Sequence, residues 1–468
     1  MLTFDLMIEV PEGYILIKKE DHEKLLKLVA TLMSRVAELE SQLNKNSGNS
    51  SRPPSSDGLK KTIKNNREKS DKKPGAQPGR TGNTLKMVEC PDTIITHKLE
   101  GVCGCGADLV KLPLRSVQRR QVFDLPSKLM EVTEHQVETK QCTCGKLHEA
   151  QCEVSNHVQY GSRFKAMMVY LNQYQFLPFE RVQEFSKDCF GISVSDGFLE
   201  QNNNTCYEQL EETELAIKEA LLNSSVMHND ETGMRCQGKT QWIHSTSTSL
   251  HTHYNIHHKR GTEAIDEIGI LNKYTGISVH DRWSSYDQYA CSHSFCNAHL
   301  LRDLKFLNEE MESHWAGQMK SLLIKANDYK KQGLINEMLI DEIETQYCKI
   351  LRQAIEQEPQ EPIPEKGKRG RKAKSKSARL LDVFLQRSQN VLMFIYNLDV
   401  PFDNNLAERD LRMVKLKQKI SGCFRSENGA KTFCRIRSYI STVRKQGYAV
   451  LDAIQLAMNN KPVCIVNG

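Results

Sequence analysis

Three acids stand where phosphodiester chemistry could use them: Asp230 and Asp281, each closing a strand-like run, and Glu408, far downstream in a helical pattern. Gathered carboxylates bind divalent cations, and two such ions roughly 4 Å apart can stabilise the attacking and leaving oxygens of an in-line displacement. A second set of residues suits a different metal. Cys103 with Cys105, and Cys142 with Cys144, form two Cys-x-Cys-Gly pairs, and four thiolates would close a tetrahedral zinc-ribbon-like site for one Zn2+ per chain. The usual spacing is one residue longer, so Cys90, His97, His135, His148 or Cys152 could replace a ligand. A metal-free core of reduced thiols is the competing reading. Cys296 and His299 could support the acids or bind an ion; the plainer alternative is a buried thiol and a helix-start histidine. Six histidines between His228 and His258 alternate along strands and read as mostly structural or exposed.

Such acids work only if strands deliver them side by side. The run Ser225 to His228 leads into Asn229-Asp230-Glu231-Thr232-Gly233, and strand-like runs follow at Thr240 to Thr248 and Thr252 to His257. A helix fits Thr262 to Tyr274, a strand Gly276 to His280 ending at Asp281, a short helix Ser285 to Tyr289, a strand His293 to Cys296 and a helix Leu300 to Glu310. The order β-β-β-α-β-α-β-α is that of a ribonuclease H-like fold, whose first and fourth strands are neighbours. Asp403, Asn404 and Asn405 are favoured at a helix start. Beyond them Asn405, Glu408, Arg412 and Lys415 share one stripe, and Ala407, Leu411 and Val414 form the apolar face.

Elsewhere, Val29, Val36 and Leu43 at a with Leu25, Leu32 and Leu39 at d make a heptad suited to a parallel dimer, or a helix docked on its own protein. Residues 46 to 58, rich in Ser, Asn, Pro and Gly, form a linker. It turns basic between Leu59 and Arg80, where Lys72, Lys73 and Arg80 could track phosphates or simply stay solvated. A second run includes Lys368, Arg369, Arg371 and Lys372 with no acid between Lys366 and Arg379, and reads as an exposed loop that grips DNA. Tyr160 to Leu222 is helical, with breaks at Pro178 and Gly191. Arg181 to Glu200 could be a DNA-reading helix-turn-helix or a merely packed pair.

Composition agrees with several soluble modules. The chain has 468 residues, too many for one ordinary core. A net charge of +6 permits a polyanionic partner without requiring one. No apolar run approaches the ~18 residues of a membrane span, and no secretory leader is recognisable, so a soluble, cytoplasmic protein with no membrane partner is expected. Fifteen cysteines in so long a chain suggest thiols and a metal rather than a disulfide framework.

These motifs together resemble the transposases of the insertion sequence sixty-six (IS sixty-six) family over almost the whole chain. The matching runs are Asn49 to Asp57, Lys73 to Gly79, the two Cys-Gly pairs, Asp230-Glu231-Thr232, Cys296 to Arg302, Asp403 to Arg409 and Ser426 to Ala430. Departures are Arg80, where the family usually has His, and the contracted cysteine spacing. The resemblance implies a bacterial Asp/Asp/Glu (DDE) transposase. Asp230, Asp281 and Glu408 would hold Mg2+ or Mn2+, two ions per site, with Cys296, His299, Asn405, Arg409 and Arg412 in support. Water would cut at the insertion-sequence ends, and the freed 3′-hydroxyl would attack target DNA.

The expected architecture is multidomain α+β. An N-terminal coiled-coil segment (1–50) leads to a basic linker (51–88), a zinc-ribbon-like domain (89–155) and a helical DNA-binding region (156–222). A ribonuclease H-like catalytic domain (223–310 and 396–450) then carries a helical insertion with the basic loop (311–395), before a C-terminal segment (451–468). Expected partners are transposon-end and target DNA, a second copy of the chain or a higher assembly, and helper proteins encoded by the same element. The competing functions are a catalytically inactive end-binding repressor or architectural protein, and a nuclease that cuts without joining.

Overall fold

The structure, a computed structural model, describes residues 18–43, 85–106, 108–126, 129–154, 156–357 and 374–466. Their architecture is a multidomain α+β one. The chain divides into two compact units. The larger takes in the N-terminal helix, Tyr160–Val182 and the chain from Ser195 onward; the smaller takes in the described residues from 85 to 159 and Gln183–Val194. Among the described residues no helix is long and apolar enough to cross a membrane.

Helix α1 (Lys19–Leu43) opens with Glu20 and Asp21, acids that suit the positive end of the helix dipole. All six heptad residues, Leu25, Val29, Leu32, Val36, Leu39 and Leu43, are exposed. Among the described residues from 85 to 159, the regular structure is a 3-10 turn (Leu109–Lys111) and an antiparallel pair, β1 (Thr139–Gln141) and β2 (Leu147–Glu149).

Helices α2 (Ser162–Val169), α3 (Phe179–Phe190), α4 (Asp196–Gln209) and α5 (Glu211–Leu222) follow. Proline and glycine punctuate them as expected: α3 begins just after Pro178 and stops just before Gly191. Ser195 caps α4 by accepting the Phe198 N–H at 3.2 Å.

A five-stranded sheet comes next: β3 (Val226–Cys236), β4 (Lys239–Ser247), β5 (Thr252–His257), β6 (Ile277–His280) and β7 (Ser292–Phe295), in the order β5-β4-β3-β6-β7. The first three form an antiparallel meander, whereas β3, β6 and β7 run parallel. Helix α6 (Thr262–Ile268) is shorter than the sequence suggests, because Gly269 adopts a left-handed conformation and ends it; a 3-10 turn at Leu271–Lys273 takes up the rest. The expected helix at Ser285 to Tyr289 is likewise one 3-10 turn, Tyr286–Gln288.

Helices α7 (Asn297–Glu310), α8 (His314–Lys331), α9 (Glu337–Gln357), α10 (Lys376–Gln386) and α11 (Ser388–Tyr396) share one apolar core with β6 and β7, around Trp315, Phe384 and Phe394. Helices α12 (Asn405–Ser421), α13 (Glu427–Lys445) and α14 (Val450–Met458) complete the unit. Strand β5 lies at the sheet edge, where unpaired backbone groups invite aggregation. Helix α13 answers them: the Thr252 and Tyr254 amides donate to the Thr442 and Ser438 hydroxyls at 3.1 and 2.8 Å.

Candidate active site

The strand register sets which residues meet. His228 on β3 pairs with Val279 and His280 with Phe295, the last residues of β6 and β7, so Asp230, two residues past His228, and Asp281 and Cys296, which directly follow those strand ends, come to one end of the parallel strands. The Cys296 amide donates to the His280 carbonyl at 2.9 Å, fixing it beside Asp281. Helix α7 starts there and carries His299 and Arg302 over the same edge. This is where α/β sheets usually bind their ligands.

Glu408 arrives on α12. Ala407, Leu411 and Val414 are buried as the apolar stripe requires, and Leu411 and Val414 pack beneath β3 to β5. A polar clamp adds to this: Asp410 accepts from Ser247, Thr252 and Lys445 at 2.8, 3.0 and 2.9 Å, tying α12 to β4, β5 and α13. Glu408 Oε1 then lies 3.9 Å from His299 Nδ1 and 3.8 Å from Arg302.

All three carboxyl groups are pushed above the usual carboxylate range, and burial is the largest cause for each. Glu231, Asp281 and Glu408 add to the shift at Asp230 through like charge. At Asp281 the Trp283 amide, donating at 3.0 Å, and the Arg260 and Arg282 cations oppose burial. At Glu408, Arg302 and Arg412 do so. Half-buried carboxyl groups whose charged forms burial and like charge disfavour gain from a shared cation, so this set suits a hard divalent ion with oxygen ligands.

Among the supporting residues named from sequence, Cys296 is buried and its thiol is pushed up to about 12 by burial. His299 is pulled down to about 4 by burial and then by Arg302 and Arg282, so its ring is neutral. Asn405, Arg409 and Arg412 are exposed on α12, and of these Arg412 acts electrostatically on Glu408.

Asn404, which sequence marks only as a favoured helix starter, knits the edge together. Its side chain accepts from His228 at 2.8 Å and donates to the Asn229 carbonyl at 2.9 Å, and its amide points at Cys296 Sγ at 3.2 Å. Glu231, the acid next to Asp230 in the matching run, is a second such residue. It is buried, accepts Arg260 Nε at 2.8 Å and Tyr286 Oη at 2.5 Å, and holds Arg260 between the Trp242 and Trp283 rings. No local signal marks either role, because the partners come from distant segments. The histidines do find structural partners; His253, for example, meets Glu214 at 3.2 Å.

In the smaller unit the two cysteine pairs form matching tight turns. The Gly106 amide donates to the Cys103 carbonyl at 2.7 Å and the Gly145 amide to the Cys142 carbonyl at 2.8 Å, with both glycines at positive φ. Hydrogen bonds from Cys105 and Cys144 lower the Cys103 and Cys142 thiols. All four thiols are exposed, and no three of them come within 4.8 Å of one another. Lys72, Lys73, Arg80, Lys368, Arg369, Arg371 and Lys372 lie outside the described residues.

Comparison with known proteins gives the family of the chain. No curated protein matches the chain. Residues 16–86 match a family of unknown function, DUF6444. Among solved structures, a chain from "CryoEM structure of simian T-cell lymphotropic virus intasome in complex with PP2A regulatory subunit B56 gamma" aligns at 13% identity over 33% of this chain. That alignment spans 62% of the viral-complex chain with a TM-score of 0.14, a likeness too slight to bear on the fold. The Transposase IS66 family matches residues 157–432, which hold the whole sheet, helix α7 and Glu408. With more than half of its length matched, this chain belongs to the IS66 family of transposases.

Proposed function

We propose that the chain is a DDE-type transposase with a ribonuclease H-like catalytic domain, cutting DNA at insertion-sequence ends and joining the freed end to target DNA. The observation that carries this reading is the convergence of Asp230, Asp281 and Glu408 at one sheet edge, each with burial working against its charged form. Asp230 and Asp281 would be direct ligands, and Glu408 would complete the set. Two Mg2+ or Mn2+ ions, when bound, supply the charge that stabilises the attacking and leaving oxygens. Arg302 and Arg412, beside Glu408, are placed to orient a phosphate. Asn404 and the Asp410 clamp hold the two halves of the site in register, and such positioning accounts for much of phosphoryl-transfer catalysis.

Around this centre, the basic segments with Lys72, Lys73 and Arg80 and with Lys368, Arg369, Arg371 and Lys372 track DNA phosphates. The Cys103, Cys105, Cys142 and Cys144 knuckles close on one structural Zn2+, and α1 pairs with a second copy through its exposed heptad face. The setting is the bacterial cytoplasm, with helper proteins of the same element as further partners. The test uses labelled insertion-sequence ends and target DNA with Mg2+. Asp230→Asn, Asp281→Asn and Glu408→Gln should each lower cleavage and joining by at least ~10²-fold while end binding persists. Full activity in all three variants would overturn the mechanism, and cutting without joining would leave a nuclease.

A further inference from the structure

The oxygen ligands do not exhaust the metal-binding groups at this edge. Cys296 Sγ, a ring nitrogen of His299 and a carboxylate oxygen of Glu408 lie within 4.8 Å of one another. We infer that these three residues form a transition-metal site, for an ion of the zinc class, next to the all-oxygen position at Asp230 and Asp281. The inference rests on the proposed active site only in giving Glu408 a second role; ion binding itself requires neither cleavage nor joining.

Three observations converge on it. First, His299 Nδ1 and Glu408 Oε1 are both buried and both lack a hydrogen-bond partner, although they stand only 3.9 Å apart. A buried polar atom left unpaired costs about 1–3 kcal/mol, and two facing each other call for something between them. Arg302, at 3.8 Å from the same oxygen, is too distant to serve as a hydrogen-bond donor. Second, the Asn404 amide points at Cys296 Sγ from 3.2 Å. A backbone N–H aimed at sulfur is the outer-shell contact that steadies a metal-bound thiolate. Third, an ion about 2.0–2.3 Å from each ligand needs these atoms to close by about an ångström, within reach of side-chain rotation.

The donor set also decides the class of ion. Sulfur and imidazole favour Zn2+, Co2+ and Fe2+, whereas Mg2+ takes oxygen. Three protein ligands leave a fourth position open, as in catalytic rather than structural zinc sites. Among the described residues a second such cluster, His257, His258 and Glu263, competes poorly, because its Glu263 is already paired with Lys259 and two of its members are exposed.

Co2+ tests this directly, because a cobalt–thiolate bond has its own near-ultraviolet charge-transfer band. The full-length chain would carry Cys103→Ser, Cys105→Ser, Cys142→Ser and Cys144→Ser to silence the knuckles, and would be titrated with Co2+ in excess Mg2+. One equivalent should bind with a thiolate band. Adding Cys296→Ser should remove the band and weaken binding by more than the about 10- to 100-fold typical of losing an outer-shell partner. His299→Gln should weaken binding but keep a band at high Co2+. As a check needing no knuckle substitutions, Cys296→Ser in the otherwise unaltered chain should lower bound Zn2+ by one equivalent. No thiolate band in the folded four-serine chain, a band that survives Cys296→Ser, or unchanged Zn2+ in the single variant would overturn the site. If Co2+ fails to bind but Asp230→Asn abolishes cleavage, this inference falls and the DDE reading stands. If Co2+ binds while all three triad variants still cut, the reverse holds.

Discussion

The sheet edge and the cysteine knuckles both offer ligands to metal, yet they are built in opposite ways. At the sheet edge long-range structure makes the cluster: strand register, the Asn404 bonds and the Asp410 clamp fix the proposed ligands in place. In the smaller unit the cysteine pairs sit in two local turns, and its described cysteines and apolar residues such as Val122, Leu125 and Val132 remain exposed. A site held by long-range packing can carry strain and repulsion, whereas one held by turns depends on its metal for its fold.

That contrast can be broken most visibly by removing the proposed zinc. Structural zinc is worth about 10–16 kcal/mol in small peptides, so chelation, or Cys103→Ser with Cys142→Ser, should leave residues 85–154 open to proteolysis. The melting of the larger unit should not move. Resistance to proteolysis in zinc-free protein would mean that the knuckles fold without metal.

At the sheet edge the corresponding cut is Asn404→Ala. It strands the His228 N–H and the Asn229 carbonyl, and at about 1–3 kcal/mol for each unpaired group the loss should be near 3 kcal/mol in denaturant unfolding. A loss below about 1 kcal/mol would mean that water replaces these bonds.

A smaller effect has the opposite sign. Asp230 binds its proton more tightly in the folded chain than in the unfolded one. Without metal, stability therefore falls as pH rises from the ordinary carboxyl range to the raised value, and levels off above it. Asp230→Asn should remove that fall and raise the metal-free melting temperature at neutral pH, by roughly 2–4 °C per kcal/mol of burial cost and repulsion relieved. Added Mg2+ should stabilise the parent chain and not the variant. A lower melting temperature for the variant at every pH would show that the acids do not repel one another.

The smallest expected change concerns α1. Deleting residues 20 to 45 should weaken dimerisation in light scattering and leave the melting of the sheet unchanged, since the six heptad side chains are exposed. An unchanged mass at equal concentration would rule out the heptad as the dimer seam.

Much of the sheet was legible because alternation and strand length are local properties. The run from Thr252 to His257 coincides with β5, and Asp281 does follow directly on β6. The stripe on α12 was readable for the same reason: Ala407, Leu411 and Val414 are buried where helical spacing puts them. Local rules also failed locally, since apolar periodicity ran through Gly269 and hid the end of α6. What the sequence could not show were contacts between distant segments. Asn404 reads as a helix starter, yet its site role depends on His228, Asn229 and Cys296, each more than a hundred residues away. Asn405 and Arg409 share the motif but project outward, because a helix turns only part of a motif toward the site.

The most direct test of the account is the comparison of Glu408→Gln with Asp403→Asn in one cleavage and joining assay. Both remove one negative charge at nearly constant size. Asp403 accepts the Asn405 amide at 3.0 Å at the start of α12, so its loss should lower activity mildly through the helix start. Glu408 faces His299 and Arg302, and its loss should lower cleavage by at least ~10²-fold with DNA binding retained. An active Glu408→Gln beside a dead Asp403→Asn would contradict the account, because the third ligand would then be Asp403.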